Sequence, residues 1–336
     1  MGTKDSDTVS PQAIAETSRA FMRSRVLLTA FELGIFTALA EDSKTSADIA
    51  NSLRTDARAT DRLMNALCAL GFLVKRDGRF SNTPATARVL VKGKPDYMSG
   101  MMHTVHLWQT WGTLTEAVRR GTSVRPRGSD AIGDEYITAF IAAMHWRSRI
   151  QAPALASFLD LEGVHRVLDV GGGSGMFSMA MVRAKQGLKA TIFDLPDVVP
   201  LTRQYIKQEG LSEYIDTVAG DFNEDELPTG CDLVFLSAIV HSISFERNVL
   251  LIRKCADAVN PNGRVVVQDH IMSDGRISPP EGALFALNML VNTEGGDTYT
   301  ESEIRSWMTQ AGLIDITHTD TPYGSGLIIG RKAERK

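Results

Sequence analysis

A glycine-rich segment, VLDVGGGSGMFSMA at residues 167–180, has the residue types of a ligand-binding turn. Apolar residues precede and follow the glycines, which predicts a buried strand that ends in a turn and opens a helix. Glycine has no Cβ and tolerates positive φ, so the backbone of such a turn can close on a ligand. The segment therefore predicts a site for a nucleotide-like cofactor, either a dinucleotide or S-adenosylmethionine.

The spacing of the glycines separates these two cofactors. A dinucleotide fingerprint has its third glycine three residues after the second, and Met176 occupies that position here. The pattern is instead Asp169-x-Gly171-x-Gly173-x-Gly175. It resembles the D/E-x-G-x-G-x-G loop of class I S-adenosylmethionine-dependent methyltransferases, in which the acid approaches the ammonium end of the cofactor directly or through water.

Two more acids follow the next two predicted strands. Asp194, in TIFDLP, is placed to accept hydrogen bonds from ribose hydroxyls, a feature that NAD sites share. Asp221, in AGDF, stands where methyltransferases of this class bind the adenine amino group, with Phe222 against the ring. Each acid alone is equally well explained as a solvated loop residue. Three acids at the ends of successive strands, where such sheets bind ligands, favour a cofactor site.

The elements that position these residues begin near residue 166, where strands and helices alternate. The predicted strands are 166–170, 190–194, 215–219, 232–237 and 263–268, followed near the end of the chain by 315–320 and 326–331. A helix at 298–313 precedes the last two strands, and its Thr300 and Glu303 have capping-box spacing. The predicted fold is α/β and Rossmann-like, with a mostly parallel seven-stranded sheet that ends in an antiparallel hairpin.

The N-terminal part of the chain has a different, mainly helical pattern. Residues 12–40 predict an amphipathic helical pair with one buried stripe, formed by Ile14, Phe21, Val26, Leu27, Ala30, Phe31 and Leu33. Helices at 45–53 and 56–73 and a hairpin at 73–83 around Asp77-Gly78 follow in the order of a winged helix. Residues 84–160 are predicted to be almost wholly helical. The predicted domains are 12–100 and 101–336, with the Rossmann-like core starting near 160.

Composition excludes several classes of protein. A formal charge of −4 argues against a nucleic-acid-binding protein. The three cysteines are far apart and form no C-x-x-C pair, which fits a reducing compartment and predicts no metal site. The polar start, MGTKDSDTVSPQ, indicates no signal peptide, and no apolar run has the length of a membrane span. We therefore expect a cytoplasmic protein without a membrane partner.

Over nearly its whole length the chain resembles the small-molecule O-methyltransferases typified by plant caffeic acid, animal acetylserotonin and bacterial polyketide-tailoring enzymes. The matching segments after the winged-helix start are HLWQTWGTLTEAVRRG, DVGGGSG, DLP, GDF, NPNGRVVVQD and ALFALNMLVNTEGG. The resemblance implies S-adenosylmethionine as cofactor, a small-molecule acceptor, and a homodimer in which helices of one subunit close the partner's pocket. It also implies cofactor contacts from Leu195, Gly220 and Ser237.

The catalytic residues implied by the resemblance are a histidine and an acid. The family's general base lies nine residues beyond the acid that opens the fourth strand, which gives Asp232 and His241 in DLVFLSAIVH. An orienting carboxylate at the end of the fifth strand corresponds to Asp269. A phenol has a pKa of about 10, so an imidazole with a pKa of about 6.5 can take its proton as the oxygen attacks the methyl group. No metal is needed.

Two positions depart from the family pattern. Most relatives continue from the base as His-Asp-Trp, whereas Ser242 and Ile243 follow here, and Thr298 stands where relatives carry a glutamate that supports the base. Asp297 or Glu301 are candidate substitutes for it. These departures keep open C- or N-methylation and cofactor binding without methyl transfer. A ligand-sensing, DNA-binding regulator is a further alternative, which is disfavoured because the chain lacks the excess of basic residues typical of DNA-binding proteins.

Candidate acceptor contacts come from the helical segments that wall the pocket in relatives. They are Trp108, Met144, His145, Asn288, Met289 and Asn292. A methionine on an apolar helix is more often part of the core, so Met144 and Met289 have that second interpretation. The histidines of this region fit core or pocket contacts better than a metal site, because no carboxylate or cysteine is spaced with them.

Overall fold

A computed structural model describes residues 9–124 and 133–334. The chain forms two compact units, and the division between them falls between Val105 and His106. No helix in the described part of the chain is long and apolar enough to cross a membrane.

The N-terminal unit has the predicted order of helices followed by a hairpin. Its elements are α1 (Pro11–Glu32), α2 (Ile35–Ala38), α3 (Ser46–Leu53), α4 (Ala57–Ala69), β1 (Leu73–Arg76), β2 (Arg79–Asn82) and α5 (Pro84–Val89). Thr45 caps α3 through a capping box with Asp48. Strands β1 and β2 pair antiparallel, and Asp77 and Gly78 between them both have positive φ, as the favoured two-residue hairpin turn requires.

Helix α1 corrects the prediction of one buried stripe. Leu28, Ala30 and Phe31, at its C-terminal end, are buried. Ile14 and Phe21 are 59% and 51% exposed, and Leu33, just past the helix, is 38% exposed. The prediction of burial is therefore wrong for these three residues in the single chain. An apolar face of this kind marks a surface that contacts another molecule.

Helices of the second unit surround one large sheet. After α6 (Met101–Trp111), which contains the division between the units, they are α7 (Leu114–Arg120), α8 (Asp134–Phe158), α9 (Met176–Ala184), α10 (Val199–Gln208), α11 (Phe245–Ala258), α12 (Pro280–Asn292) and α13 (Glu301–Gln310). The strands are β3 (Arg166–Val170), β4 (Lys189–Asp194), β5 (Ile215–Ala219), β6 (Cys231–Ser237), β7 (Val259–Asp269), β8 (Ile271–Met272), β9 (Tyr299–Thr300), β10 (Leu313–Asp320) and β11 (Gly326–Lys332).

The sheet has seven strands in the order β10-β11-β7-β6-β3-β4-β5. Strands β7, β6, β3, β4 and β5 run parallel, and β11 and β10 add to β7 in antiparallel pairing. This confirms the predicted α/β sheet with its closing hairpin. The small parallel pair β8-β9 was not predicted, because two-residue strands leave no periodic pattern.

The topology places the candidate site at one edge of the sheet. From β3 the chain moves to β4 and β5 on one side and then returns to β6 on the other side of β3. Ligands of such sheets bind at this switch point, outside the carboxyl ends of the strands. Asp169 is the second-last residue of β3, Asp194 ends β4, and His241 follows β6.

Candidate functional site

The three loop glycines with positive φ have different neighbours. A Cβ on Gly171 would lie 2.3 Å from Ile239 Cδ1, and one on Gly175 would lie 2.6 Å from Ile192 Cδ1. A Cβ on Gly173 would meet only Ile141 Cδ1, at 3.7 Å. A side chain at Gly171 or Gly175 would therefore clash with the isoleucines packed against the loop. A side chain at Gly173 would instead enter open space that a ligand could occupy.

Asp169 is a buried acid with one oxygen bound and one not. Its Oδ2 accepts a hydrogen bond of 2.6 Å from Ser178 Oγ, and its Oδ1 has no partner within residues 9–124 and 133–334. Burial raises the pKa of this carboxyl to about 7. The Ser178 hydrogen bond opposes this rise, and the charge of Asp194 adds to it. A buried acceptor without a partner fits the ammonium group that the sequence predicts here.

This raised pKa makes the stability of the ligand-free protein depend on pH. The native Asp169 carboxyl holds its proton up to about pH 7, whereas an unfolded one releases it near pH 4. The native state thus binds more protons, and the free energy of unfolding falls as pH rises from about 4 to about 7. Asparagine does not titrate, so Asp169→Asn removes this fall in stability. In urea unfolding we therefore expect the free energy of unfolding of the variant, relative to wild type, to be higher at pH 8 than at pH 5. An equal difference at both pH values would contradict the buried, protonated carboxyl.

Asp194 ties the glycine loop to β4. Its Oδ2 accepts from the Gly173 amide at 2.7 Å and its Oδ1 from the Leu195 amide at 2.8 Å. Burial raises its pKa, and the two amide bonds oppose that rise. Thr202, which the sequence analysis missed, donates its hydroxyl to the Gly173 carbonyl at 2.6 Å. Gly173 is consequently fixed through both its amide and its carbonyl.

The residues after β5 are held mainly by local contacts. A Cβ on Gly220 would lie 2.5 Å from Phe193 Cζ, so packing alone requires a glycine there. Asp221 Oδ1 accepts from the amide and side chain of Asn223, at 2.8 and 2.9 Å, which makes an Asx turn. Phe222 packs against the core that covers β6 and β7.

Two other predicted cofactor residues differ in exposure. The Leu195 side chain is largely open to solvent, at 46% exposure. Ser237 instead donates its hydroxyl to Gln268 Oε1 on the neighbouring strand β7. Neither observation tests a contact with a cofactor, and the two assignments stay predictions.

His241 and Asp269 form the central pair of the site. His241 lies in a short 3-10 turn, Val240–Ser242, directly after β6. Its Nδ1 is 2.8 and 3.0 Å from the two carboxylate oxygens of Asp269, which ends β7. Because the carboxylate accepts the Nδ1 proton, the lone pair lies on Nε2, which makes Nε2 the basic nitrogen.

Asp269 is ionised although it is buried. Burial raises the pKa of its carboxyl, but the charge and hydrogen bond of His241 and the amide of His270, 2.7 Å from Oδ1, outweigh burial and hold the pKa below its ordinary value. The carboxylate is thus available to fix the imidazole ring and to stabilise its protonated form.

Phe285, a residue that the sequence analysis missed, flanks the imidazole ring of His241. Its ring on α12 stands edge-on to the imidazole, with 4.8 Å between centroids and an angle of 84°. The same ring lies 4.7 Å from the ring of His270. No sequence pattern distinguishes this phenylalanine from the other apolar residues of α12.

The proposed substitutes for the missing glutamate are engaged elsewhere. Asp297 pairs with Arg276 at 3.2 Å, and Glu301 binds Arg305 and His318. Thr298 is buried, and its hydroxyl donates to the Gly282 carbonyl. The expectation that Asp297 or Glu301 supports the base is wrong, and Asp269 is the only carboxylate bonded to His241 in the described part of the chain.

The candidate acceptor residues on α12 lie on the face that carries Phe285. Asn288, Met289 and Asn292 follow Phe285 at three-, four- and seven-residue spacing, which is one helical face. Asn288 Oδ1 accepts from Trp111 Nε1 at 2.9 Å and from Asn292 Nδ2 at 3.2 Å. Met289 is buried, and Trp111, not predicted as a site residue, contacts this face through Asn288.

The remaining candidates lie on α6 and α8. Trp108 is half-buried, one helical turn before Trp111, and Met144 is half-buried on α8. The ring of His145 stacks on Tyr205 of α10 with 4.1 Å between centroids, and burial lowers its pKa. The structure therefore places His145 in a helix–helix contact.

Comparisons with known proteins identify the family of the chain. A family model for the O-methyltransferase domain matches residues 114–314, and one for the O-methyltransferase dimerisation domain matches residues 15–93. The chain is 33% identical over 332 residues to 3-hydroxy-5-methyl-1-naphthoate 3-O-methyltransferase of Streptomyces sahachiroi, covering 96% of each protein. It is 32% identical to the tetracenomycin polyketide synthesis 8-O-methyl transferase TcmO of Streptomyces glaucescens, covering 96% of this chain and 97% of that one. The chain belongs to the O-methyltransferase family.

Solved structures agree with the cofactor that the loop predicts. PigF of Serratia, solved with SAH, superposes with a TM-score of 0.90 at 26% identity, covering 96% of this chain and all of that one. Human N-acetylserotonin methyltransferase, solved with SAM, gives a TM-score of 0.84 at 27% identity, covering 99% and 100%. The protein is an S-adenosylmethionine-dependent O-methyltransferase.

Proposed function

We propose that the protein methylates a hydroxyl group of an aromatic or polyketide-like small molecule, with His241 as general base and Asp269 as its orienting carboxylate. The observation that carries this proposal is the bond of 2.8 Å between His241 Nδ1 and the buried Asp269 carboxylate. The naphthoate and tetracenomycin enzymes support the acceptor class.

Residues at the edge of the sheet would hold the cofactor. The unpartnered oxygen of Asp169 would accept from its ammonium group, the open side of Gly173 would leave room for it, and Asp194 and Asp221 would bind the ribose and the adenine. S-adenosylmethionine supplies an electrophilic methyl group when bound. The other assigned contacts are Gly171, Gly175, Leu195, Gly220, Phe222 and Ser237.

The chain's own contribution to the reaction is the handling of one proton. His241 Nε2 takes the proton of the acceptor hydroxyl, since Nδ1 is committed to Asp269. The imidazolium that results lies against an ionised carboxylate, which stabilises it. The face of α12 with Phe285, Asn288 and Met289 borders the acceptor, and Trp108, Met144 and Asn292 extend its pocket.

The proposal is tested by methyl transfer to a panel of hydroxylated aromatics. Purified protein is incubated with S-adenosylmethionine and hydroxynaphthoates, simple phenols or anilines, and each product is located by mass spectrometry and NMR. We expect methyl ethers from the hydroxylated compounds. Products methylated on carbon or nitrogen, with the hydroxyl left free, would overturn the proposed reaction.

We also propose that the protein is a homodimer joined through α1. The first unit matches a dimerisation domain, and Val9, Ile14, Phe21 and Met22 are 70%, 59%, 51% and 52% exposed in the single chain. Burying this apolar face against a second copy would remove it from water.

A charge on this face is expected to separate the subunits. Wild type should scatter light as a particle of twice the 36.7 kDa chain, and Ile14→Asp should shift the mass toward one chain because an aspartate cannot be buried unpaired. Ile277→Asp is the control, since Ile277 is 79% exposed in the other unit. Wild-type protein that remains monomeric at micromolar concentration, or Ile14→Asp protein that stays dimeric, would contradict the assignment of α1.

A further inference from the structure

The backbone on both sides of His241 is held by a single buried amide. Asn248, on α11, has no exposed surface. Its Nδ2 donates to the Val240 carbonyl at 2.8 Å and to the Ile243 carbonyl at 3.3 Å. These carbonyls precede and follow His241 and Ser242, so one side chain bridges the turn that carries the base.

Other groups close the turn from the same side. The Tyr299 hydroxyl donates to the Ile243 carbonyl at 2.7 Å, and the Tyr299 ring packs on Trp307 with 4.8 Å between centroids. A Cβ on Gly296 would lie 2.4 Å from the His241 carbonyl oxygen, so the GG segment touches the turn directly. Asn248, Tyr299 and Gly296 thus fix the backbone of the turn, while Asp269 fixes the imidazole ring of His241.

The two residues that follow His241 in the turn are Ser242 and Ile243. The Ser242 hydroxyl donates to the Ile239 carbonyl within the turn, at 2.7 Å, and Ile243 is buried in the core. Neither side chain anchors the turn to a neighbouring element by a hydrogen bond. That anchorage comes from Asn248 and Tyr299.

We propose that Asn248 is a positioning residue for methyl transfer, whose amide sets the turn so that His241 meets both Asp269 and the acceptor. The inference rests on the proposed role of His241 as general base. The turn presents two carbonyl acceptors to this side chain. Among side chains of its size, only an amide can donate two hydrogen bonds from one atom. A carboxylate would offer no donor, and a hydroxyl offers one.

The test compares Asn248→Ala with a matched asparagine. Asn82, in the first unit, also bridges two backbone carbonyls, those of Phe36 and Leu39, at 2.9 and 3.0 Å. Both variants lose two side-chain hydrogen bonds to backbone carbonyls, buried at Asn248 and part-buried at Asn82, so Asn82→Ala controls for the loss of such bonds. We expect Asn248→Ala to lower kcat by about 10-fold through misplacement of the base and to leave the S-adenosylmethionine Kd unchanged. Asn82→Ala should leave kcat on the same phenol unchanged.

A double variant shows whether Asn248 acts through His241. If it does, Asn248→Ala lowers kcat in the wild-type background but has no further effect in the His241→Ala background. Losses that multiply in the double variant, or a kcat that Asn248→Ala leaves unchanged, would overturn the positioning role. A His241→Ala variant with full activity would instead overturn the proposed base.

Tyr299→Phe provides a second variant if Asn248→Ala does not fold. It removes one bond to the turn and keeps the ring against Trp307. We expect a fall in kcat that is smaller than that of Asn248→Ala and that also disappears in the His241→Ala background. A loss that persists in the His241→Ala background would contradict the proposal that the bonds to this turn position His241.

Discussion

His241→Ala is expected to lower kcat on a weakly acidic phenol by about 10²–10⁴-fold, the usual contribution of a general base. The imidazole is bound to Asp269, which is buried at the end of β7, and it is the group placed to receive the proton. Calorimetry should give the same S-adenosylmethionine Kd as for wild type, because the imidazole is proposed to contact the acceptor and not the cofactor. Asp269→Asn should cost less activity, since it misorients the base without removing it.

A second carboxylate-bound histidine provides the control for this substitution. His318 Nδ1 lies 2.7 Å from Glu301 Oε2, in the same kind of pair as His241 and Asp269, but on the closing hairpin. His318→Ala should keep kcat near the wild-type value. If both alanine variants lose activity equally, the loss reflects stability, and His241 is not shown to be the base.

Gly173→Val is expected to weaken S-adenosylmethionine binding by about 10²-fold or more, a loss of about 2.8 kcal/mol in binding free energy. A valine at this position would project into the space beside the loop, where Ile141 is the one neighbour within 4 Å among the residues that the structure describes. It would also strain a φ of +57°, because branched residues disfavour the left-handed region.

The strain is separated from the steric effect by Gly187→Val. Gly187 has a φ of +81° and nothing within 4 Å of its Cβ position, and it lies in the turn before β4. This variant should lose some stability and keep its affinity for the cofactor. Equal Kd values for Gly173→Val and wild type would show that the cofactor does not occupy this side of the loop.

The central strands of the sheet were predictable because they are buried on both faces. Strands of this kind read as short apolar runs between turns, and 166–170 was predicted to the residue. The edge strand 215–219 was also predicted to the residue, although of its residues only Ile215 is buried. The hairpin at Asp77-Gly78 and the capping box at Thr300 were likewise predicted from local chemistry. In these places the local pattern and the tertiary structure require the same residues.

The site was predictable only where a motif carries the chemistry. The family resemblance paired His241 with Asp269, but the sequence did not reveal that Gly171 and Gly175 are glycines because of Ile239 and Ile192. Such contacts join residues far apart in the chain and leave no period. Phe285 was missed for the same reason, since one aromatic residue on an apolar helix has no distinguishing pattern.

The first helix shows the converse limit. Its apolar spacing was interpreted as a buried stripe, yet Ile14 and Phe21 are exposed in the single chain. Periodicity reports that a face avoids water, and it does not report which molecule covers that face. Burial of Ala30 and Phe31 was predicted correctly because these residues lie at the end that packs within the unit.

The most direct test of the central claim is the ratio of kcat between wild type and His241→Ala across phenols of graded pKa. An acceptor that is already ionised at the assay pH needs no base. The account therefore predicts a ratio of about 10² or more for phenols with a pKa of about 10, falling toward one as the acceptor becomes acidic. A ratio that stays constant across the series, or is near one even for the least acidic phenol, would contradict His241 as the general base.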